Sequence, residues 1–209
     1  MIGHRRRRLG AGEAATTIAY VSAFGGDGSR PARARLTGNL GNWPDAPTLL
    51  GRQIQLEPLR AEHAQEMAPL LDDPHLHVFI GGRPASLAEL QQRYQRQAAG
   101  RSADGAERWL NWIVRRLDDD RAIGTVQATV ADEAGDVTAA VAWVVATPYQ
   151  GRGYAREAAH VMVAWLWRSG VTRIVAHIHP RHEASAAIAR AVNLTPTEVV
   201  VDGEIRWES

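Results

Sequence analysis

The 209 residues suffice for one well-filled core and fall short of two, so a single domain with an appendage is expected. The 24 basic residues, all of them arginine, stand against 23 acidic ones, and no global charge excess points to a nucleic-acid or anionic-membrane partner. The absence of cysteine excludes a disulfide framework, a thiolate nucleophile, a cysteine zinc site and an iron–sulfur cluster, and fits a reducing, cytoplasmic setting; no apolar run reaches the ~20 residues that a membrane helix requires.

The chain opens with His4-Arg5-Arg6-Arg7-Arg8 ahead of Leu9 to Phe24, the outline of an export signal. Glu13, Thr16 and Thr17 interrupt its apolar part, however, and no clear small-x-small cleavage site follows. Gly25 to Pro47 is rich in Gly, Pro, Arg, Ala and Asn, with too few large apolar side chains to build a core. Residues 1–48 are therefore expected to form a disordered extension and 49–209 the domain. A nucleic-acid or surface-binding tail is the alternative role for the arginine run.

Regular patterning begins near Gly51. Arg52 to Glu57 alternates polar and apolar residues as a half-buried strand does, and Pro58 helps to end it. A helix is expected from Arg60 to Leu71, kinked or shortened at Pro69 and halted by Asp72-Asp73-Pro74. Ser86-Leu87-Ala88-Glu89 has the form of a capping box and predicts a helix from Leu87 to about Ala99, closed by Gly100. The period then changes to two. Trp109–Leu117, Ala122–Val130 and Val137–Val145 read as strands, and the turn-forming links between them favour an antiparallel meander. Ala155 to Ser169 is mostly apolar, with one narrow polar stripe, which predicts a buried helix ended by Gly170. Val171 to His179 follows as a strand parallel to the one that ends at Val145, then a helix over Glu183–Val192 and a terminal strand or hairpin around Asp202-Gly203.

Between strand and buried helix lies Gln150-Gly151-Arg152-Gly153-Tyr154-Ala155. A strand, a loop with two glycines and a helix start make an anion site: first-turn N–H groups lack intrahelical partners and carry the positive end of the helix dipole. Arg152 and Arg156 can add charge-assisted bonds to a pyrophosphate. A Walker loop is excluded, because it requires a lysine. A dinucleotide fingerprint fits poorly, because Arg156 stands where its third small residue belongs and the next strand ends in His177 and His179 rather than an acid. A tight turn without a ligand stays open. His177 and His179 share one strand face, but no third metal ligand accompanies them, so no metal is expected.

The same six residues fit the Gln/Arg-x-x-Gly-x-Gly/Ala acetyl-CoA signature, and the chain from about Leu50 onward resembles the GCN5-related N-acetyltransferases (GNAT) in the order of its elements. Ile54 to Arg60, Asp73-Pro74 and Pro180 to Ser185 look most like the RimJ/RimL-like branch of ribosomal-protein N-terminal acetyltransferases and related small-amine acetylators. The resemblance implies an α/β fold, with a mixed, mostly antiparallel sheet of six to seven strands, splayed between the fourth and fifth, and about four helices. It implies acetyl-CoA as cosubstrate, with the backbone of Trp143, Val144 and Val145 holding pantetheine and Gln150, Gly151, Arg152, Gly153, Tyr154 and Ala155 the pyrophosphate. His182 stands where the branch usually has asparagine, against the cofactor arm. Ser185 is the candidate for protonating the leaving sulfur, with helix capping as the alternative. Glu198 is the candidate general base, and Glu107, His177 and a water chain are alternatives.

The implied activity is transfer of an acetyl group to a primary amine, a peptide N-terminus or a small molecule, by direct attack in a ternary complex. A non-catalytic acyl-CoA-binding or regulatory module is the alternative. His75–Gly82 and Trp109–Trp112 are candidates for lining the acceptor side, their aromatic residues being otherwise core. No nucleic-acid or membrane partner is expected, and the chain is expected to be a monomer or homodimer.

Overall fold

The computed structural model describes residues 40, 43–80, 83–133 and 135–209. The extension expected over residues 1–48 lies outside the described residues, except for Leu40 and 43–48. The elements are β1 (Leu49–Leu50), β2 (Ile54–Pro58), α1 (His63–Leu71), α2 (Pro74–Ile80), α3 (Leu87–Ala98), β3 (Glu107–Arg116), β4 (Ala122–Glu133), β5 (Asp136–Val145), α4 (Tyr154–Arg168), β6 (Arg173–Ile178), α5 (Glu183–Ala191), β7 (Thr195–Val201) and β8 (Glu204–Glu208). The strands form one sheet in the order β1-β2-β3-β4-β5-β6-β8-β7. Each neighbouring pair is antiparallel except β5–β6.

Sequence and structure agree on the meander, the buried helix and the parallel return. The sheet has eight strands rather than six or seven, because β1 is only two residues long, too short to show a period, and the terminal segment is a full hairpin. Asp202 and Gly203 both take positive φ, 53° and 84°, as a two-residue hairpin turn requires. The further helix is α2, which opens on Pro74, where proline's fixed φ suits a first helical residue. Pro69 lies inside α1 without ending it. At α3 the capping box forms as expected: Ser86 Oγ accepts from Glu89 N–H at 3.4 Å, and Glu89 Oε2 accepts from Ser86 N–H at 2.8 Å.

The pleat divides the molecule into two layers. Leu110, Trp112 and Val114 of β3, with Val126, Ala128 and Val130 of β4, form one cluster with Ala158, Ala159, Met162 and Leu166 of α4. Ile113 and Ala122 belong to a second cluster with Ala64 and Met67 of α1 and Leu90 and Tyr94 of α3. Alternating positions thus face the α4–α5 layer or the α1–α3 layer. The first cluster also takes in Leu40, with Trp43 and Ala46 packed against it, and Trp112 Nε1 donates to the Pro47 carbonyl at 2.7 Å. Core packing therefore reaches upstream of residue 49. Among the described residues no helix is long and apolar enough to cross a membrane.

Candidate active site

Strand β6 pairs with β5 only through Thr138↔Arg173, Ala139↔Ile174 and Ala140↔Val175. It then leaves β5 and continues against β8, from Val175↔Glu208 to Ile178↔Ile205. Further along β5, Val141 to Val144 line a cleft that opens to solvent. Gly124 on β4 helps to define this geometry: a Cβ there would lie 2.2 Å from the Val144 carbonyl oxygen, so β5 leans on β4, away from β6, more closely than any side chain permits.

The cleft has two sides, assigned by the pleat. Trp143 pairs with the core residue Val126 and so faces the α4–α5 layer, where its Nε1 donates to Ser185 Oγ at 3.3 Å. Ser185 lies in the first turn of α5, but it is not the cap. His182 caps that helix, its Nδ1 accepting from Ser185 N–H at 3.4 Å, which leaves the hydroxyl in the cleft. The accepting Nδ1 requires the proton on Nε2. Burial, with His179 nearby, pushes His182 below its ordinary value, so the ring is neutral at pH 7. Phe79 of α2 stacks on it with ring centroids 4.3 Å apart and meets His179 at 5.5 Å, which places α2 across the mouth of the cleft.

On the α1–α3 side the cleft is lined by Thr125 and Gln127 of β4, His177 and His179, and Glu204 of β8. Glu204 is 8 % exposed. Burial pushes its carboxyl up to about 7, and the charge of Asp202 adds to the effect. Burial likewise pushes His177 down, with Arg206 contributing. Glu198, the acid chosen from sequence, lies exposed on the edge strand β7 and is not among the cleft-lining residues. Glu107 accepts from Trp109 Nε1 at 3.0 Å and does not line the cleft either. A register shift between Pro196 and Val200 accompanies this displacement: alternation counted along β7 does not carry across the irregularity. Glu204 was missed because an acid just after a turn reads as exposed; its burial depends on strands that lie far from it in the chain. The one available signal was the Asp202-Gly203 turn, which sets the register of β8.

Beyond β5 the chain makes a single 3₁₀ turn over Thr147–Tyr149, and Gln150 Nε2 donates back to the Val145 carbonyl at 2.9 Å, fixing the loop to its strand. Gly151 (φ 73°) and Gly153 (φ 85°) are left-handed, and a Cβ at either would meet nothing within 4 Å. Open space therefore adjoins both glycines. Among the described residues, no backbone carbonyl takes up the N–H groups of Gly151, Arg152 or Gly153. Arg152 and Arg156 are exposed, and neither has an ion pair among the described residues. Tyr154 is buried and, with Ala155, opens α4. Of the expected acceptor-lining residues, Phe79 reaches the cleft. Trp112 instead is fully buried against Trp165, so the aromatic content of that strand is core.

Comparison with known proteins agrees with this architecture. The model of the acetyltransferase (GNAT) domain matches residues 53–195, well over half of the chain. Among solved structures, the ribosomal-protein-S5-alanine acetyltransferase from Vibrio fischeri is 19% identical, with a TM-score of 0.64, 78% of this chain and 96% of that one being covered. The aminoglycoside acetyltransferase AAC(6')-Ib in complex with coenzyme A is 16% identical, with a TM-score of 0.62 over 75% of this chain and 94% of that one. The microcin C7 self-immunity acetyltransferase MccE in complex with acetyl-CoA and AMP is 14% identical, with a TM-score of 0.60 over 75% and 92%. The search of curated proteins finds no match. At these identities the likeness to solved structures is one of fold, and the domain match carries the assignment: the chain belongs to the GNAT acetyltransferase family and is an N-acetyltransferase that uses acetyl-CoA.

Proposed function

We propose that the protein acetylates a primary amine, a peptide N-terminus or a small-molecule amine, by direct attack on the thioester in a ternary complex. The observation that carries this is continuity: the unpaired edge of β5 runs from the cleft straight into a glycine loop with open space and with N–H groups and two guanidinium groups that have no partner among the described residues. The backbone of Trp143, Val144 and Val145 supplies strand-like bonds to the pantetheine arm, beside His182. Gly151 to Ala155, with Arg152 and Arg156, surround the pyrophosphate, and Gln150 holds that loop in place.

The neutral amine attacks the thioester carbonyl, the C–S bond breaks, and the sulfur leaves as thiolate. Ser185 Oγ–H is placed to donate to that sulfur, because Trp143 Nε1 already occupies one of its lone pairs. The absence of cysteine is what supports a reducing, cytoplasmic setting for this chemistry.

Calorimetric titration with acetyl-CoA tests the loop. Gly153→Glu places a carboxylate among the N–H groups and is expected to lower affinity at least ~100-fold, from charge repulsion where an anion is to be held. Gly153→Ala isolates the strain of a left-handed residue, which costs of order 1 kcal/mol, and is expected to bind still. Unaltered binding by Gly153→Glu overturns the loop assignment. Acetyl-CoA binding without thiol release to any amine favours the non-catalytic module instead.

A further inference from the structure

We infer that Glu204 is the general base that takes the proton from the incoming ammonium group. This rests on the acetyl-transfer reading above and assigns the half of the reaction which that reading leaves open.

Three observations converge on Glu204. It is the one carboxylate among the described residues that line the cleft. It is more than nine-tenths buried, yet its carboxylate has no hydrogen bond or ion pair among the described residues. A buried acid kept for stability is normally paired, and even the half-buried Glu57 is, with Arg115. Lastly, the pleat sets it on the opposite side of the sheet from Ser185. Trp207 and Ile205 belong with the α4–α5 core, so Glu204 and Arg206, at the alternate positions of β8, face the other layer. A base on one side of the splay and a proton donor on the other leave the thioester between them: the amine arrives from the α1–α3 side, and the sulfur departs toward α5.

The charges around Glu204 suit that task. Arg206 on its own strand is engaged by Glu208, Asp202 lies in the adjoining turn, and His177 of β6 and His179 just beyond it line the same side of the cleft. His182 at the head of α5 is neutral, α2 offers Phe79, β4 offers Thr125 and Gln127, and the acid of β7, Glu198, lies outside the cleft. With its carboxyl lifted to about 7, Glu204 is ionised over half its molecules just above neutrality and basic enough to accept a proton from an ammonium group. The protons balance as follows. R–NH₃⁺ gives one to Glu204, the neutral amine adds to the carbonyl, and the second passes from nitrogen to sulfur through Ser185 as the C–S bond breaks; Glu204 then releases its proton to water.

The test compares the full-length protein with Glu204→Gln. Acetyl-CoA affinity is measured by calorimetry. Thiol release is measured with the fastest acceptor from a panel of seryl and alanyl peptides and simple alkylamines, and again with trifluoroethylamine, which is already unprotonated at neutral pH. The expected results are unchanged acetyl-CoA affinity, a turnover loss of at least ~100-fold with the basic amine, disappearance of the rise in rate through pH ~7, and a loss of no more than about tenfold with trifluoroethylamine. Glu204→Asp, which retracts the carboxylate by one methylene, is expected to keep the pH dependence at a rate about tenfold lower. Full turnover and an unchanged pH profile in Glu204→Gln overturn the assignment of the base while leaving acetyl transfer intact. A wild-type protein that binds acetyl-CoA but acetylates no amine overturns both.

Discussion

The two halves of the sheet treat buried charge in opposite ways. From β2 to β5 the ladders are long, β4–β5 running from Gly124↔Val145 to Glu133↔Asp136. At their edge Arg115 bonds Glu57 at 2.8 Å and Glu66 at 3.0 Å through both guanidinium nitrogens. Burial works against the charge of each acid, yet the bonds from Arg115 hold both carboxyl groups below their ordinary value. From β6 to β8 the ladder with β5 stops after three pairs, and burial is not offset: Glu204 is pushed up to about 7, and His177 and His182 are pushed down. The comparison teaches that the closed half pairs its acids with arginine, whereas the split half leaves Glu204 without an ion pair among the described residues.

The largest expected effect comes from breaking the closed half at its seam. Gly124→Val drives a side chain into the Val144 carbonyl, 2.2 Å from where its Cβ must stand, and the atom it meets is backbone that cannot swing away. A destabilisation of about 3 kcal/mol or more is expected in chemical denaturation, the upper end for overpacking.

Next in size is a pH effect confined to the split half. The folded state binds the Glu204 proton more tightly than the unfolded chain, whose value is near 4.5. The corresponding stability is whole below about pH 4.5 and is lost as pH rises through about 7, by up to about 3 kcal/mol. Glu57 and Glu66 behave in the opposite sense: their contribution is present above the ordinary carboxylate range and is lost on acidification. Denaturation at about pH 5 and about pH 9 should therefore find Glu204→Gln more stable than wild type only at the higher pH.

The smallest effect is on the leaving group. Ser185→Ala removes the hydroxyl held by Trp143 and is expected to lower turnover ~10- to 100-fold with little change in acetyl-CoA affinity. Steady-state and binding measurements together distinguish this from a binding defect, and an unchanged turnover rate removes Ser185 from the chemistry.

Much of the fold was legible because its signals are local. The capping box at Ser86, the alternation of β3 to β5 and the glycines flanking α4 each depend on a few neighbouring residues, and each appears in the structure within three residues of its expected place. Upstream packing was not legible, because Leu40, Trp43 and Pro47 reach the core singly rather than through any periodic pattern. In the site, the glycine loop was visible for the same local reason, since left-handed positions demand glycine wherever the chain later folds. The buried acid of the cleft was not. Glu198 and Glu204 are both acids of one hairpin; its Asp202-Gly203 turn sets the register of β8, but the burial of one acid and the exposure of the other depend on the rest of the sheet.

By itself the sequence determined the order of elements, the family and the glycine loop, since hydrophobic period, turn chemistry and backbone sterics act over a few residues. Only the tertiary structure decided where β5 and β6 part, which faces Ser185 and Glu204 present to the gap, and how far burial shifts an acid. Those properties depend on dielectric and packing contributed by strands and helices far apart in the chain, and no local pattern records them.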